Sequence, residues 1–229
     1  MRYLLTLVLL FGLTASECYA QLGSSTNLFT FKKFEDNPIQ KSLVRIHANG
    51  EQGVGLGSGA LIGKDLILTA YHVVRGATTI DVLVPHKAFR FKDAKLLYFD
   101  VGKDLAVLKA ALPKAVKPLT VSETVPKQGE TIQFLGFAGG QLPRHFDCKV
   151  LDVDNLAKQL LLDSQVIQGD SGGMMLNSKG EIVGCIQKGM VSITRISHLE
   201  GDTLYNPLLL ALTTGCDCRT ISDFLKANE

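Results

Sequence analysis

Three short segments of this chain carry side chains able to do chemistry together. The first runs Gly57-Ser58-Gly59-Ala60-Leu61-Ile62-Gly63-Lys64-Asp65-Leu66-Ile67-Leu68-Thr69-Ala70-Tyr71-His72-Val73-Val74. Two apolar strands there lead into a tight turn bearing one histidine, and a histidine at the end of a rigid strand is placed to move protons near neutral pH. The second is Gly102-Lys103-Asp104-Leu105-Ala106-Val107-Leu108-Lys109. A carboxylate at the edge of a core needs a donor partner, and an imidazole is one. Asp100 is a rival in the same loop, without an apolar run behind it. The third is Gln168-Gly169-Asp170-Ser171-Gly172-Gly173-Met174-Met175-Leu176. Its glycines permit a strained turn in which the backbone N–H groups of Gly169 and Ser171 converge on one point, where an oxyanion would develop. A phosphate-binding turn would want a following helix or lysine, and neither pattern is present.

The elements that must position these residues read as short strands. β-branched and aromatic runs punctuated by glycine predict strands at 42–48, 53–62, 65–70, 78–84, 88–99 and 104–110. Residues 111–130 hold Pro113, Pro118 and Pro126 and read as a linker. A second set follows at 131–137, 146–153, 158–163, 172–177 and 181–188, with a last strand at either 190–197 or 202–206. Ile221–Ala227 reads as a short C-terminal helix capped by Thr220 or Ser222. The fold class is therefore all-β: two six-stranded antiparallel barrels, residues 41–110 and 131–229, with a short C-terminal helix.

The first twenty residues stand outside that pattern. Met1-Arg2-Tyr3 is weakly basic, Leu4–Leu13 is apolar, and the segment ends Cys18-Tyr19-Ala20. This is the layout of a secretory signal peptide cleaved after Ala20, and the apolar run is too short to span a bilayer. Residues 21–40 read as a polar arm or propeptide, although Leu28-Phe29-Thr30-Phe31 and Phe34 would also suit an apolar oligomerisation arm. The expected location is secreted or periplasmic. Removing Cys18 leaves Cys148, Cys185, Cys216 and Cys218, an even set that suggests disulfides in an oxidising compartment. Cys216-Asp217-Cys218 lacks the second Cys/His pair that a zinc site needs, so neither a metal nor a cofactor is expected.

Composition bounds the partners. Lys+Arg 24 against Asp+Glu 22 gives a net charge of +2, too little to argue for nucleic acid or a membrane surface. With 46% hydrophobic and 20% charged residues, the chain is neither disordered nor fibrous. A polypeptide is the substrate that such a site would take.

Together the segments resemble the chymotrypsin/trypsin family of serine proteases. Thr69-Ala70-Tyr71-His72 looks like that family's Thr-Ala-Ala-His, Asp104-Leu-Ala-Val-Leu like its Asp-Ile-Ala-Leu-Leu, and Gly169-Asp-Ser171-Gly-Gly matches its nucleophile motif. The order His, Asp, Ser is also that family's. The short gaps, Gly55-x-Gly57-Ser58-Gly59, and Gly129-Glu130 ahead of Phe134-Leu135-Gly136-Phe137 resemble bacterial Deg-type members, without their trailing PDZ domain. The resemblance implies a trypsin-like fold and a serine endopeptidase. It implies Ser171 as nucleophile, His72 as general base, Asp104 as the group orienting the imidazole, and an oxyanion hole from the N–H groups of Gly169 and Ser171.

It also implies a substrate channel. Gln165 would lie at the base of the pocket for the residue preceding the cut bond, with Gln168 nearby. Gln187-Lys188-Gly189 would pair with substrate backbone, Gly189 leaving the pocket mouth open. Gln165 is neither acidic nor a small hydroxyl residue, which points to an uncharged residue there. In trypsin-like zymogens a freshly cut apolar N-terminus pairs with the Asp just before the nucleophile. Here Asp170 is present but no Ile-Val-Gly-Gly occurs. A buried Asp170 then needs another partner: an Arg or Lys such as Arg195, backbone N–H groups, or a terminus created within residues 21–43. Two other readings remain: a trypsin-fold binding protein that has lost catalysis, and an oligomeric quality-control protease.

Overall fold

The computed structural model describes residues 39–194 and 208–228, apart from residues 52, 115, 140 and 141. The signal-peptide segment, nearly all of the 21–40 arm and Arg195 lie outside the described residues.

A 3-10 turn at Gln40–Ser42 delivers the chain into β1 (Leu43–Gly50), which folds back on β2 (Gly53–Gly63). β3 (Leu66–Thr69) returns through Asp65 at φ 62°. A single helical turn, α1 (Tyr71–Val74), follows. β4 (Thr79–Val84), β5 (Phe89–Phe91), β6 (Lys95–Asp100) and β7 (Leu105–Lys109) complete a sheet of seven strands in the order β5-β4-β1-β2-β3-β7-β6. The first half thus differs from the expected six-stranded barrel. The strand predicted at 88–99 breaks in two, because Asp93 turns at φ 55° and the Ala94 N–H bonds Ile80 C=O at 2.6 Å.

The second half is a closed six-stranded barrel, with β10-β13-β12-β11-β8-β9 around its wall. Its strands are β8 (Thr131–Ala138), β9 (Leu142–Asp154), β10 (Gln159–Leu162), β11 (Met174–Leu176), β12 (Ile182–Thr194) and β13 (Leu208–Asp217). Of the two alternatives for the last strand, 202–206 and the end of 190–197 lie outside the described residues. Residues 190–194 extend β12, and the closing strand is β13. The C-terminal helix, α2 (Cys218–Lys226), starts earlier than predicted. Its cap is Asp217, whose carboxylate accepts from the N–H groups of Arg219 and Thr220 at 3.0 and 3.2 Å.

One apolar cluster takes residues from both halves: Leu43, Leu68 and Leu105 pack with Leu135, Phe137, Met174 and Phe224. This shared core fixes one half against the other, and with it the loops that meet at their junction. The cysteines correct the disulfide expectation. Cys148, Cys185, Cys216 and Cys218 are free and buried. Cys148 sits in the barrel interior, apart from the shared core that holds Cys185 and Cys216. Burial pushes the thiols of Cys148 and Cys216 up to about 12. They behave as small apolar side chains.

Candidate active site

His72 and Asp104 are brought together where α1 meets the loop before β7. The turn Tyr71–Val74 is fastened to that loop three ways. His72 N–H donates to Asp104 Oδ1 at 2.8 Å, His72 Nδ1 lies 2.7 Å from Asp104 Oδ2, and Tyr71 N–H donates to Asp104 C=O at 3.1 Å. Asp104 holds φ 51°, a left-handed conformation that costs a non-glycine residue energy and collects at functional sites. Tyr71 stacks on Phe99 with ring centroids 4.6 Å apart, which braces the turn. With Nδ1 facing the carboxylate, Nε2 of His72 is left toward solvent, and the ring is 43% exposed. Asp100 does something else: it accepts from Lys103 N–H at 2.9 Å and pairs with Lys103 Nζ at 3.2 Å. The Lys103 backbone N–H, ahead of the lysine's charge, holds its carboxyl below the ordinary range.

The glycine-rich turn abuts the same junction. Gly172 adopts φ 80°, and a Cβ there would collide with Ser58 C=O, Thr69 Oγ1 and the Ala70 N–H, two residues from His72. Ser58 binds the turn to β2. Its N–H donates to Ser171 C=O at 2.8 Å and its Oγ to Gly169 C=O at 2.7 Å, while Oγ accepts from Phe137 N–H at 2.9 Å. Gln168 C=O accepts from Gly139 N–H at 2.6 Å. In a trans peptide the N–H points opposite to the C=O, so the Gly169 N–H is turned away from Gly139. Among the described residues, the N–H groups of Gly169 and Ser171 have no acceptor and Ser171 Oγ makes no hydrogen bond. Two free donors and a free hydroxyl at one turn are what an incoming carbonyl would engage.

The other site residues fall into two groups. Gln187 is buried, and its amide donates to Lys103 C=O at 2.5 Å, tying β12 to the loop that carries Asp104. Lys188, Gly189 and Gln168 are exposed. Gly189 faces Val166: a Cβ there would lie 3.3 Å from Val166 Cβ. Residues 166 and 189 therefore approach closely at that point. Two clefts share His72 and Arg75 in their lining, and neither is lined by Ser171 or Gly169. One, of about 710 Å³, is lined by Tyr71, Lys103, Asp104, Gln187 and Lys188. The other, of about 860 Å³, is lined by Gly53, Val54, Gly55 and Arg75.

Asp170 turns inward, with no exposure, and its partner is Arg144 of β9. Sequence reasoning missed Arg144. The signal available was its cross-strand position opposite Gly136. A Cβ at residue 136 would sit 2.6 Å from Asp170 Oδ1, so glycine makes room for the carboxylate. Burial pushes the Asp170 carboxyl up, opposed by the Arg144 guanidinium.

Residues 57–185 match the trypsin-like peptidase domain. The chain belongs to the trypsin-like peptidase family. Among curated relatives it is 27% identical over 151 residues to the anti-sigma-I factor RsgI9 of Acetivibrio thermocellus, covering 65% of this chain and 21% of that protein. It is 29% identical over 166 residues to the periplasmic pH-dependent serine endoprotease DegQ of Escherichia coli, covering 67% and 34%. The chain therefore spans only a fifth to a third of the length of these two relatives. In fold it is similar to the active form of the Rv3671c protease of M. tuberculosis, with a TM-score of 0.64 at 21% identity over 81% of this chain and 80% of that one.

Proposed function

We propose that this chain is a serine endopeptidase that cuts polypeptides through an acyl-enzyme intermediate. One observation carries the reading: an imidazole held through Nδ1 by a carboxylate, beside a Gly-Asp-Ser-Gly-Gly turn in which the Ser171 hydroxyl and the N–H groups of Gly169 and Ser171 are unspent among the described residues. Ser171 Oγ attacks the scissile carbonyl while His72 Nε2 takes its proton. The carbonyl oxygen becomes an oxyanion received by the N–H groups of Gly169 and Ser171. His72 returns the proton to the leaving amine, and water repeats the sequence to free the acid. Asp104 keeps the proton of the neutral ring on Nδ1 and stabilises the imidazolium that forms in each half. Endopeptidase action is supported by the match of residues 57–185 to the trypsin-like peptidase domain and by the likeness to an endoprotease. Gln165 and the close approach of Val166 to Gly189 favour a small or apolar uncharged residue before the cut. Lys188 and Gly189 would pair with substrate backbone. A secreted or periplasmic location is part of this reading, supported by the leader-like first twenty residues. No helix among the described residues is long and apolar enough to cross a membrane.

The test is hydrolysis of a peptide panel varied at the residue before the cut. The wild type is expected to favour small and apolar residues, and Ser171→Ala and His72→Ala to turn over none. Preference for Arg or Glu overturns the specificity, and full turnover by Ser171→Ala overturns the function.

A further inference from the structure

The segment 165–170 carries the candidate oxyanion donor Gly169 and one wall of the substrate pocket, and it contains no regular secondary structure. A loop of that kind needs something to hold it. Four observations identify what does. Arg144 and Asp170 pair with side chains 3% and 0% exposed. The same guanidinium donates to Gln165 C=O from both Nη1 and Nη2 at 3.1 Å. The Asp170 carboxylate that receives Arg144 also accepts from Ile167 N–H at 2.9 Å. The guanidinium lies over the rings of Phe134 and Phe146, 5.2 and 4.8 Å from their centroids. One side chain on a rigid barrel strand therefore holds the segment at its start, at its end and, through Asp170, in its middle. The planar fork of arginine suits this, since a lysine ammonium would not present its donors in one plane.

We propose that Arg144 is the positioning residue that keeps the oxyanion segment assembled, so that this chain needs no proteolytic cut to become active. This role rests on the serine-peptidase reading above. Asp170 is the carboxylate to which a newly freed N-terminus would have to come, and Arg144 already occupies its inner face. A terminus generated within residues 21–43 would have to displace a buried guanidinium from Asp170 Oδ2 or reach Oδ1, the carboxylate oxygen that has no hydrogen-bond partner among the described residues. The site is thus built into the chain from the moment it folds.

The experiment compares the full chain with Arg144→Met, Arg144→Lys and the double variant Arg144→Met/Asp170→Asn. It reads thermal unfolding, the kcat and KM of peptide ester hydrolysis, and the rate of fluorophosphonate labelling. Arg144→Met is expected to label roughly 10²–10³ times more slowly, the scale of losing one oxyanion donor, with kcat falling and KM little changed. The double variant separates positioning from mere charge balance. It removes the stranded carboxylate, so its melting temperature is expected to recover while kcat stays low. Arg144→Lys keeps the charge without the fork and is expected to fall between. Recovery of both stability and kcat in the double variant makes Arg144 a counter-ion only and overturns the proposal. A folded Arg144→Met that labels at the wild-type rate overturns it as well. A second arm needs no variant: the full chain, shown by mass to be uncut between residues 21 and 43, is expected to label at once. Labelling that begins only after a cut there overturns the proposal. A wild type that labels in no form refutes the peptidase reading itself. A wild type that labels beside an unaffected Arg144→Met refutes only the role of Arg144.

Discussion

Replacing Ser58 with alanine removes one hydroxyl that joins the first sheet to the nucleophile turn. The side chain has no exposure, donates to Gly169 C=O at 2.7 Å and accepts from Phe137 N–H at 2.9 Å. Alanine would take the donor from the buried Gly169 C=O and an acceptor from the Phe137 N–H. Each such loss costs about 1–3 kcal/mol, so the expected fall in stability is roughly 2–6 kcal/mol. In a chain of this size 1 kcal/mol moves Tm by about 2–4 °C, which sets the fall at roughly 4–24 °C. Circular dichroism during heating measures it. Thr78→Ala is the control: it deletes an exposed 3.0 Å bond to Asn49 C=O and is expected to cost below about 0.5 kcal/mol. Activity should fall too. Gly169 is the proposed oxyanion donor, and a misplacement near 1 Å can cost up to about 10²-fold in rate. A Ser58→Ala protein that melts and turns over like the wild type would refute the argument that this hydroxyl couples the two halves.

Two further outcomes are expected. Asp104→Asn should lower kcat by about 10⁴-fold by unsettling the His72 tautomer, while Asp100→Asn should leave it near wild type, because Asp100 only closes its own turn; equal losses in ester-hydrolysis assays would contradict the assignment. Stability should fall in alkali, because the thiols of Cys148 and Cys216 are pushed up to about 12 from an ordinary 9.0. Between those values the folded chain keeps protons that the unfolded chain has released, so the contribution is whole below pH 9 and is lost as pH rises toward 12, at about 1.4 kcal/mol per pH unit for each thiol. Urea unfolding across that range measures the slope, and Cys148→Ala should reduce it by one thiol's share; an unchanged slope would count against burial as the cause.

Local patterns made much of this molecule legible. Strand edges followed glycines and apolar runs closely from Leu43 to Val84, because a turn residue and a period-two pattern are both short-range signals. The His72, Asp104 and Ser171 segments stood out because each needs a rare residue at the end of an apolar strand. What escaped was set by contacts across the chain. Asp93 at φ 55° splits a strand that reads as continuous. Asp217 caps the last helix because its buried carboxylate meets two N–H groups and Arg219, a choice that composition near Thr220 does not reveal. The partner of Asp170 is a cross-strand residue 26 positions away, and such a pairing depends on barrel register. Gln187 donates its amide to Lys103 C=O across the junction of the two halves, a contact that no local pattern reveals. The even cysteine count pointed to bridges, whereas all four thiols are free and buried, Cys185 and Cys216 as cross-strand neighbours and Cys148 in the barrel interior.

Covalent labelling of Ser171 tests the central claim most directly. The intact chain is treated with a fluorophosphonate, weighed by mass spectrometry, digested and mapped. One adduct is expected, on Ser171, abolished by Ser171→Ala and by His72→Ala. An adduct that persists in Ser171→Ala, or a folded wild-type chain that takes up none, would contradict the account.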